Sequence, residues 1–291
     1  MFLMIKTIRW KNIALNLRAF WLQFKKGRMA LLGVVIVSSF IIIGVIAPFI
    51  TQYGPFELTN DIYHPPSRKY FLGTDYFGRD VFSRIVWGTR VSLFFGGCTA
   101  SLSLIVGIIL GAIPGYFGGI IDDLFSRFFE VFLMIPRLVI IILVVAIFGS
   151  DIIYSILVVG LTIWPTNARI TRAQVISIKN RGYIQSAISS GASHFRVLFY
   201  HILPNGLYPV IANSTIEIGR AILIEASLSF LGLGDLNNVS WGQILQRGRS
   251  AMFSAPWISF FPGITIFLLV FGFSLIGDGI NYALNPRLRE R

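Results

Sequence analysis

The run MALLGVVIVSSFIIIGVIAPFI, residues 29–50, holds no charged side chain and directly follows Lys25, Lys26 and Arg28. A helix needs about 20 apolar residues to cross roughly 30 Å of hydrocarbon, and this run has that length. The rest of the chain is of the same kind. Of its 291 residues, 55% are hydrophobic and 13% are charged, where a soluble domain carries about 25% charged residues. Mean hydropathy is +0.73. So many apolar side chains exceed what one water-facing core can bury, and a bilayer is the solvent that accepts the excess. The reading is an all-α integral membrane protein.

Working outward from residues 29–50, further uncharged runs repeat the pattern. Residues 51–88 are polar, with Pro55, Pro65 and Pro66, and read as a loop outside the bilayer. Val91 to Ile121 reads as a second span with a turn at Pro114-Gly115, bounded by Asp122, Asp123 and Arg127. A third span runs from Phe125 to Gly149 and a fourth from Ile152 to Ala168. Residues 173–202 are too basic to span. A fifth span covers Leu203 to Leu233, residues 234–256 form a second polar loop, and Ile258 to Gly277 is the sixth.

The basic residues then fix an orientation. The formal net charge is +12. Lys6, Arg9, Lys11, Arg18, Lys25, Lys26 and Arg28 precede the first span, and Arg169, Arg172, Lys179, Arg181 and Arg196 follow the fourth. Arg287, Arg289 and Arg291 follow the sixth. Six crossings put all three groups on one face, which the positive-inside rule makes cytoplasmic. Both termini are expected there, in a multi-pass protein of the cell membrane. The domain reading is a cytoplasmic segment 1–28, the span 29–50, an external loop 51–88, a core 89–284 and a tail 285–291. Basic residues lying between apolar runs, rather than on one polar face, argue against a nucleic-acid binder. Charges at Lys6, Arg9 and Lys11 interrupt the first apolar stretch, so no secretory leader is read.

Two features leave alternatives open. Lys11, Arg18 and Lys25 recur every seven residues opposite Ile13, Leu17, Phe20 and Phe24. This describes either a helix lying on the inner leaflet or an extension of the first span. Ser103, Gly107, Gly111, Gly115 and Gly119 recur at steps of four, which lets helices approach closely in lipid. Packing within this subunit and packing between subunits both fit, and Pro114 is expected to stop the stripe near Gly111.

Enzymatic chemistry finds little footing. The three histidines form no H-E-x-x-H pair, no G-x-S-x-G elbow occurs, and no Gly-Lys dipeptide permits a phosphate-binding loop. Cys98 is the single cysteine, so neither a disulfide within the chain nor a cysteine metal site forms. The remaining candidates are charges inside spans. Glu217 and Arg220 are three apart and can pair on one helical face, with Glu225 further along. They either line a water-filled pathway or hold helices in register. Arg127 and Glu130 are expected to form a second such pair.

The segment from Tyr183 to Asn205 (YIQSAISSGASHFRVLFYHILPN) reads as two short helices joined at an angle. Gly191 permits the turn, and Pro204 is tolerated at the start of the next helix. Its small residues suit close docking into a partner. This stretch resembles the E-A-A…G…I-x-L-P loop of ABC-importer permeases through Ala187, Gly191, Ile202, Leu203 and Pro204. Gln185 stands at the acidic position and Ser186 at the first alanine. The resemblance continues over nearly the whole chain. Ala30 to Pro48 is similar to the first span of dipeptide/oligopeptide permeases. Residues 72–84 (LGTDYFGRDVFSR), including Gly73, Asp75, Gly78, Arg79 and Asp80, are similar to that family's external signature. Ser227 to Gly234, Gly277-Asp278-Gly279 and Asn285 to Arg289 also match. The chain resembles the second of the two permease subunits.

That resemblance implies a type I importer permease fold with six transmembrane helices. It implies a heterodimer with a second homologous permease, two ABC ATPase subunits holding ATP and Mg, and an extracytoplasmic substrate-binding protein. The chain itself is then non-catalytic and binds no cofactor. The coupling contacts implied are Tyr183, Gln185, Ser186, Ala187, Gly191, Ala192, Phe195, Arg196, Leu203 and Pro204, within a coupling loop 179–203. The cargo implied is a peptide, with nickel chelates or oligosaccharides as alternatives in the same family. A self-sufficient secondary transporter is the competing class. Inverted repeats with broken helices mark many of those, and no repeat is evident here.

Overall fold

The computed structural model describes residues 20–284. Lys6, Arg9, Lys11 and Arg18 of the expected N-terminal basic cluster, the first half of the 11–28 helix and the 285–291 tail lie outside them. Among the described residues the fold is helical, with one isolated bridge between Thr74 and Asp80.

Helix α1 (Arg28–Ile50) is the opening run. Its buried residues are Ala30, Gly33, Val37, Gly44 and Ala47, while Phe49 is 88% exposed. Small residues inside and large ones outside suit a helix that packs in lipid. A Cβ on Gly33 would lie 2.8 Å from the Gly272 carbonyl oxygen. Residues 20–26 are helical and tuck Phe24 against Ala30 and Ala283.

Helix α2 (Val81–Phe117) starts ten residues before the expected span. Asp80 is its N-cap, accepting from the Ser83 amide at 2.8 Å, so the non-helical stretch after α1 ends at residue 80 and residues 81–88 of the expected loop are helical. No turn forms at Pro114-Gly115. The helix runs through Pro114 and stops at Gly118, where Gly118 and Gly119 take φ of 72° and 57°.

The expected third span is broken into α3 (Gly119–Met134) and α4 (Arg137–Phe148), bent by 77°. Pro136 forces Ile135 out of helical backbone, to φ −82° and ψ 128°. Helix α5 (Ile152–Lys179) extends well past the expected stop at Ala168. Polar residues ended the apolar run but not the helix, because Asn167 and Arg172 find partners on neighbouring helices and Thr171 donates back to the Asn167 carbonyl of its own helix.

Helix α6 (Gly182–Ser189) is short, and α7 (His194–Gly206) contains a π-helical stretch at Val197–Ile202. A 56° bend at Leu207 leads into α8 (Tyr208–Phe230). Pro204 stands in the first turn of the α-helical segment Leu203–Gly206 that follows the π turn, the helix-start position expected of it, and the long helix α8 begins after the bend. Helix α9 (Trp241–Gly248) lies in the second polar loop, and α10 (Trp257–Leu284) closes the described fold.

Helices α2 and α5 form the most extensive pair, α8 joins them to α10, and α1 lies on α10. The small-residue stripe builds the α2–α5 seam. A Cβ on Gly107 would meet Asn167 Cβ at 2.5 Å, on Gly111 the Ala168 oxygen at 2.2 Å, and on Gly115 the Arg172 oxygen at 2.8 Å. The stripe is thus used within this subunit and continues past Pro114 to Gly115, whereas a Cβ on Gly119 would meet nothing within 4 Å.

By length and composition, α1, α2 and α10 can each cross a membrane, and the two bent pairs raise the number to five. The 51–80 loop and α9 share one end of the bundle, through Trp257 Nε1 donating to the Thr74 oxygen at 3.2 Å and Trp241 Nε1 to the Ile85 oxygen at 2.9 Å. Helices α6 and α7 lie at the opposite end.

Candidate functional site

The first site is the α6–α7 element. Its inner face is apolar: Ile184 packs with Ile178, Val197 and Ile202 in one cluster. Gly191, at φ 81°, makes the turn between the helices. Ser193 caps α7 through the Arg196 amide. Tyr116 on α2 ties the element down, with its hydroxyl 2.9 Å from His194 Nδ1. Lys179 donates to the Tyr116 carbonyl and sits over its ring at 5.3 Å. The outer face is open. Tyr183, Gln185, Ser186, Gly191, Arg196 and Pro204 are exposed, and Phe195 is 66% exposed beside Phe199. Ala187 and Ala192 are half-buried. Leu203 is buried in the apolar cluster, so it supports the element instead of offering a contact. Gln185 donates through Nε2 to the Lys179 carbonyl at 2.9 Å and so caps the end of α5. A carboxylate at this position could not donate that bond.

The second site lies midway along the helices. The expected Glu217–Arg220 ion pair does not form. Glu217 is buried and accepts from Asn167 Nδ2 at 2.6 Å, Ser103 Oγ at 3.1 Å and Asn213 Nδ2 at 3.2 Å. These donors come from α5, α2 and α8, so one carboxylate joins three helices. Asn167 Oδ1 also accepts from Asn213 at 2.9 Å. Spacing on α8 alone allowed Arg220 as partner, but amides across the seam satisfied Glu217 first and left Arg220 exposed. Glu225 accepts from Ser229 Oγ at 2.8 Å and is buried separately. Arg127 and Glu130 make no ion pair either. Asp122 instead takes a bidentate pair from Arg172, tying α3 to α5.

Arg137 is a residue the sequence reading missed. It opens α4 at the break and donates to Thr166 Oγ1 on α5 at 3.1 Å. It borders an open recess of about 280 Å³ together with Glu217, Arg220 and Leu223. Its signal was a lone arginine directly after a proline inside an apolar run. A charge at the bilayer centre costs about 3 kcal/mol, which makes each such arginine informative.

The signature at residues 72–84 is not an open surface. Asp75 is 2% exposed and Arg84 1% exposed. Asp75 Oδ1 accepts from the amides of Phe77 at 2.8 Å and Arg79 at 3.0 Å. Its Oδ2 accepts from Arg79 Nε at 2.9 Å and Arg84 Nη1 at 2.8 Å. Burial pushes the Arg79 guanidinium below its ordinary pKa and the Asp80 carboxyl above its own. Gly73 and Gly78 both adopt φ 77°, and a Cβ on Gly78 would lie 2.2 Å from the Thr59 oxygen. The signature is a buried clasp that fixes the 51–80 loop to the start of α2.

A bundle of apolar and broken helices, with an open two-helix element at one end and a clasped loop at the other, has the make-up of a multi-pass membrane protein. The family described as "Binding-protein-dependent transport system inner membrane component" matches residues 104–290. "N-terminal TM domain of oligopeptide transport permease C" matches residues 16–66. The chain belongs to the family of binding-protein-dependent transport system inner membrane components. It is 40% identical over 271 residues to a dipeptide transport system permease protein, DppC, of Alkalihalophilus pseudofirmus, covering 92% of this chain and 89% of that one. It is 36% identical over 272 residues to the oligopeptide permease OppC of Bacillus subtilis, covering 92% and 89%. It is also 36% identical over 293 residues to the glutathione permease GsiD of Pectobacterium atrosepticum, covering 98% and 96%.

Proposed function

We propose that this chain is one of two permease subunits of an ATP-driven importer for short peptides. In this reading it crosses the cell membrane six times, with α5 as the crossing beyond the five recognised by composition, and has both termini in the cytoplasm. It pairs with a homologous permease, and two ATPase subunits holding ATP and Mg drive the pair. A receptor outside the membrane delivers cargo to the end bearing the 51–80 loop and α9.

The observation that carries the reading is the α6–α7 element, anchored by Ile184 and Tyr116 yet open on its outer face. An anchored helix pair transmits a push from a partner to α2 and α5, which a floppy loop could not. Tyr183, Ser186, Phe195 and Arg196 form the contact, with Ala187, Gly191 and Ala192 allowing close approach. Gln185 contributes from its place on the α5 end. The relatives named for dipeptides, oligopeptides and glutathione, itself a tripeptide, support a peptide cargo.

Cysteines placed at Ala187 or Gly191 test the reading. Each is expected to crosslink to the ATPase in the assembled transporter. Failure at both positions in an intact complex removes the coupling assignment.

A further inference from the structure

Arg137, Arg169 and Arg220 lie on one face built by α4, α5 and α8. Arg220 and Arg137 border the recess that also exposes Leu223. Arg137 reaches Thr166, and from Thr166 a second recess of about 500 Å³ continues past Arg169 and Gln174. Among the described residues no acid lies within ion-pair distance of any of these three arginines. The one acid nearby, Glu217, is turned into the seam, where Asn167, Ser103 and Asn213 occupy it.

Hydrocarbon does not tolerate such a face. Arg220 sits near the middle of α8 and Arg137 at the break between α3 and α4, where intramembrane charges mark water-filled pathways. Long side chains escape to the headgroups only from near helix ends. The second recess, of about 500 Å³, has the size of a small-molecule site, about 300–1,000 Å³, and the first, of about 280 Å³, falls just short of it. A water-filled groove lined by one sign of charge concentrates the opposite sign.

We propose that Arg137, Arg169 and Arg220 line the translocation path and form an anion-attracting step for cargo that bears a carboxylate, such as the free C-terminus of a peptide. The cargo part rests on the importer reading above. The path part does not. Guanidinium groups match a carboxylate in geometry, and one held only by Thr166 can release it without breaking a paired charge.

The test uses the complete transporter in liposomes, with Cys98→Ser and Leu223→Cys in this chain. The introduced thiol is modified with an anionic and a cationic methanethiosulfonate reagent. The anionic-to-cationic rate ratio is expected to fall about tenfold when Arg137→Gln and Arg220→Gln are added, and to hold with Arg220→Lys. Turnover of the tripeptide Ala-Ala-Ala at saturating receptor is expected to fall about tenfold in the double Gln variant, with ATP hydrolysis retained. An introduced thiol closed to both reagents, or a ratio unmoved by the Gln substitutions, overturns the path assignment. Unchanged turnover in the double variant overturns the cargo step. The reagent measurement needs neither ATP nor cargo, so it decides the path even where the wild type fails to import the tripeptide, a failure that counts against the peptide reading alone.

Discussion

The clasp at residues 72–84 and the α6–α7 element both match family motifs, yet they handle polar residues in opposite ways. The clasp hides its charges. Asp75, Arg79 and Arg84 are buried and answer one another, and Gly73 and Gly78 bring backbone against backbone. The α6–α7 element buries Ile184, Val197 and Ile202 as its anchor and leaves Gln185 and Arg196 exposed together with the aromatic rings of Tyr183 and Phe195. A recurring motif can therefore record a folding constraint at one end of a molecule and a contact surface at the other. Burial separates the two meanings.

The contrast makes ordered predictions. Asp75→Asn leaves Arg79 and Arg84 buried without their acid and is expected to cost about 3–5 kcal/mol, seen as a lowered melting temperature of the purified complex. A stability loss under about 1 kcal/mol would break the clasp assignment. Gly78→Ala puts a methyl group into the Thr59 carbonyl at a positive φ and is expected to cost about 1–3 kcal/mol, read by the same melt. Gln185→Ala removes the bond to the Lys179 carbonyl, a loss of about 1 kcal/mol, visible as faster amide exchange at the end of α5. Phe195→Ala is expected to change stability by less than about 0.5 kcal/mol while sharply reducing ATP-driven uptake in cells. If Phe195→Ala unfolds the chain or leaves uptake intact, the exposed face is not the working one.

Much of this architecture is legible in the residues. Helices α1 and α10 are bounded runs free of Lys and Arg beyond the first residue of α1, and the 103–115 stripe announces a tight seam because small residues at steps of four have few other uses. The breaks are not legible in the same way. Pro136 leaves the hydropathy of the third span untouched while bending it by 77°, and a polar stretch from Asn167 to Arg172 looks like an ending when its partners lie on α2, α3 and α8. The Glu217–Arg220 pair shows the limit most directly. Spacing along one helix names the neighbours a side chain can reach, and a seam between three helices decides which it takes. Arg137 escapes a sequence reading for the same reason, since its meaning depends on Thr166 across the bundle.

The central claim is that α6 and α7 face the cytosol and are covered there by a motor subunit. A single cysteine at Phe195, in a Cys98→Ser background, tests it with a membrane-impermeant maleimide. The account predicts no labelling in intact cells, labelling of inverted vesicles stripped of the ATPase, and protection when the ATPase is restored. Labelling of intact cells from the outside would contradict it.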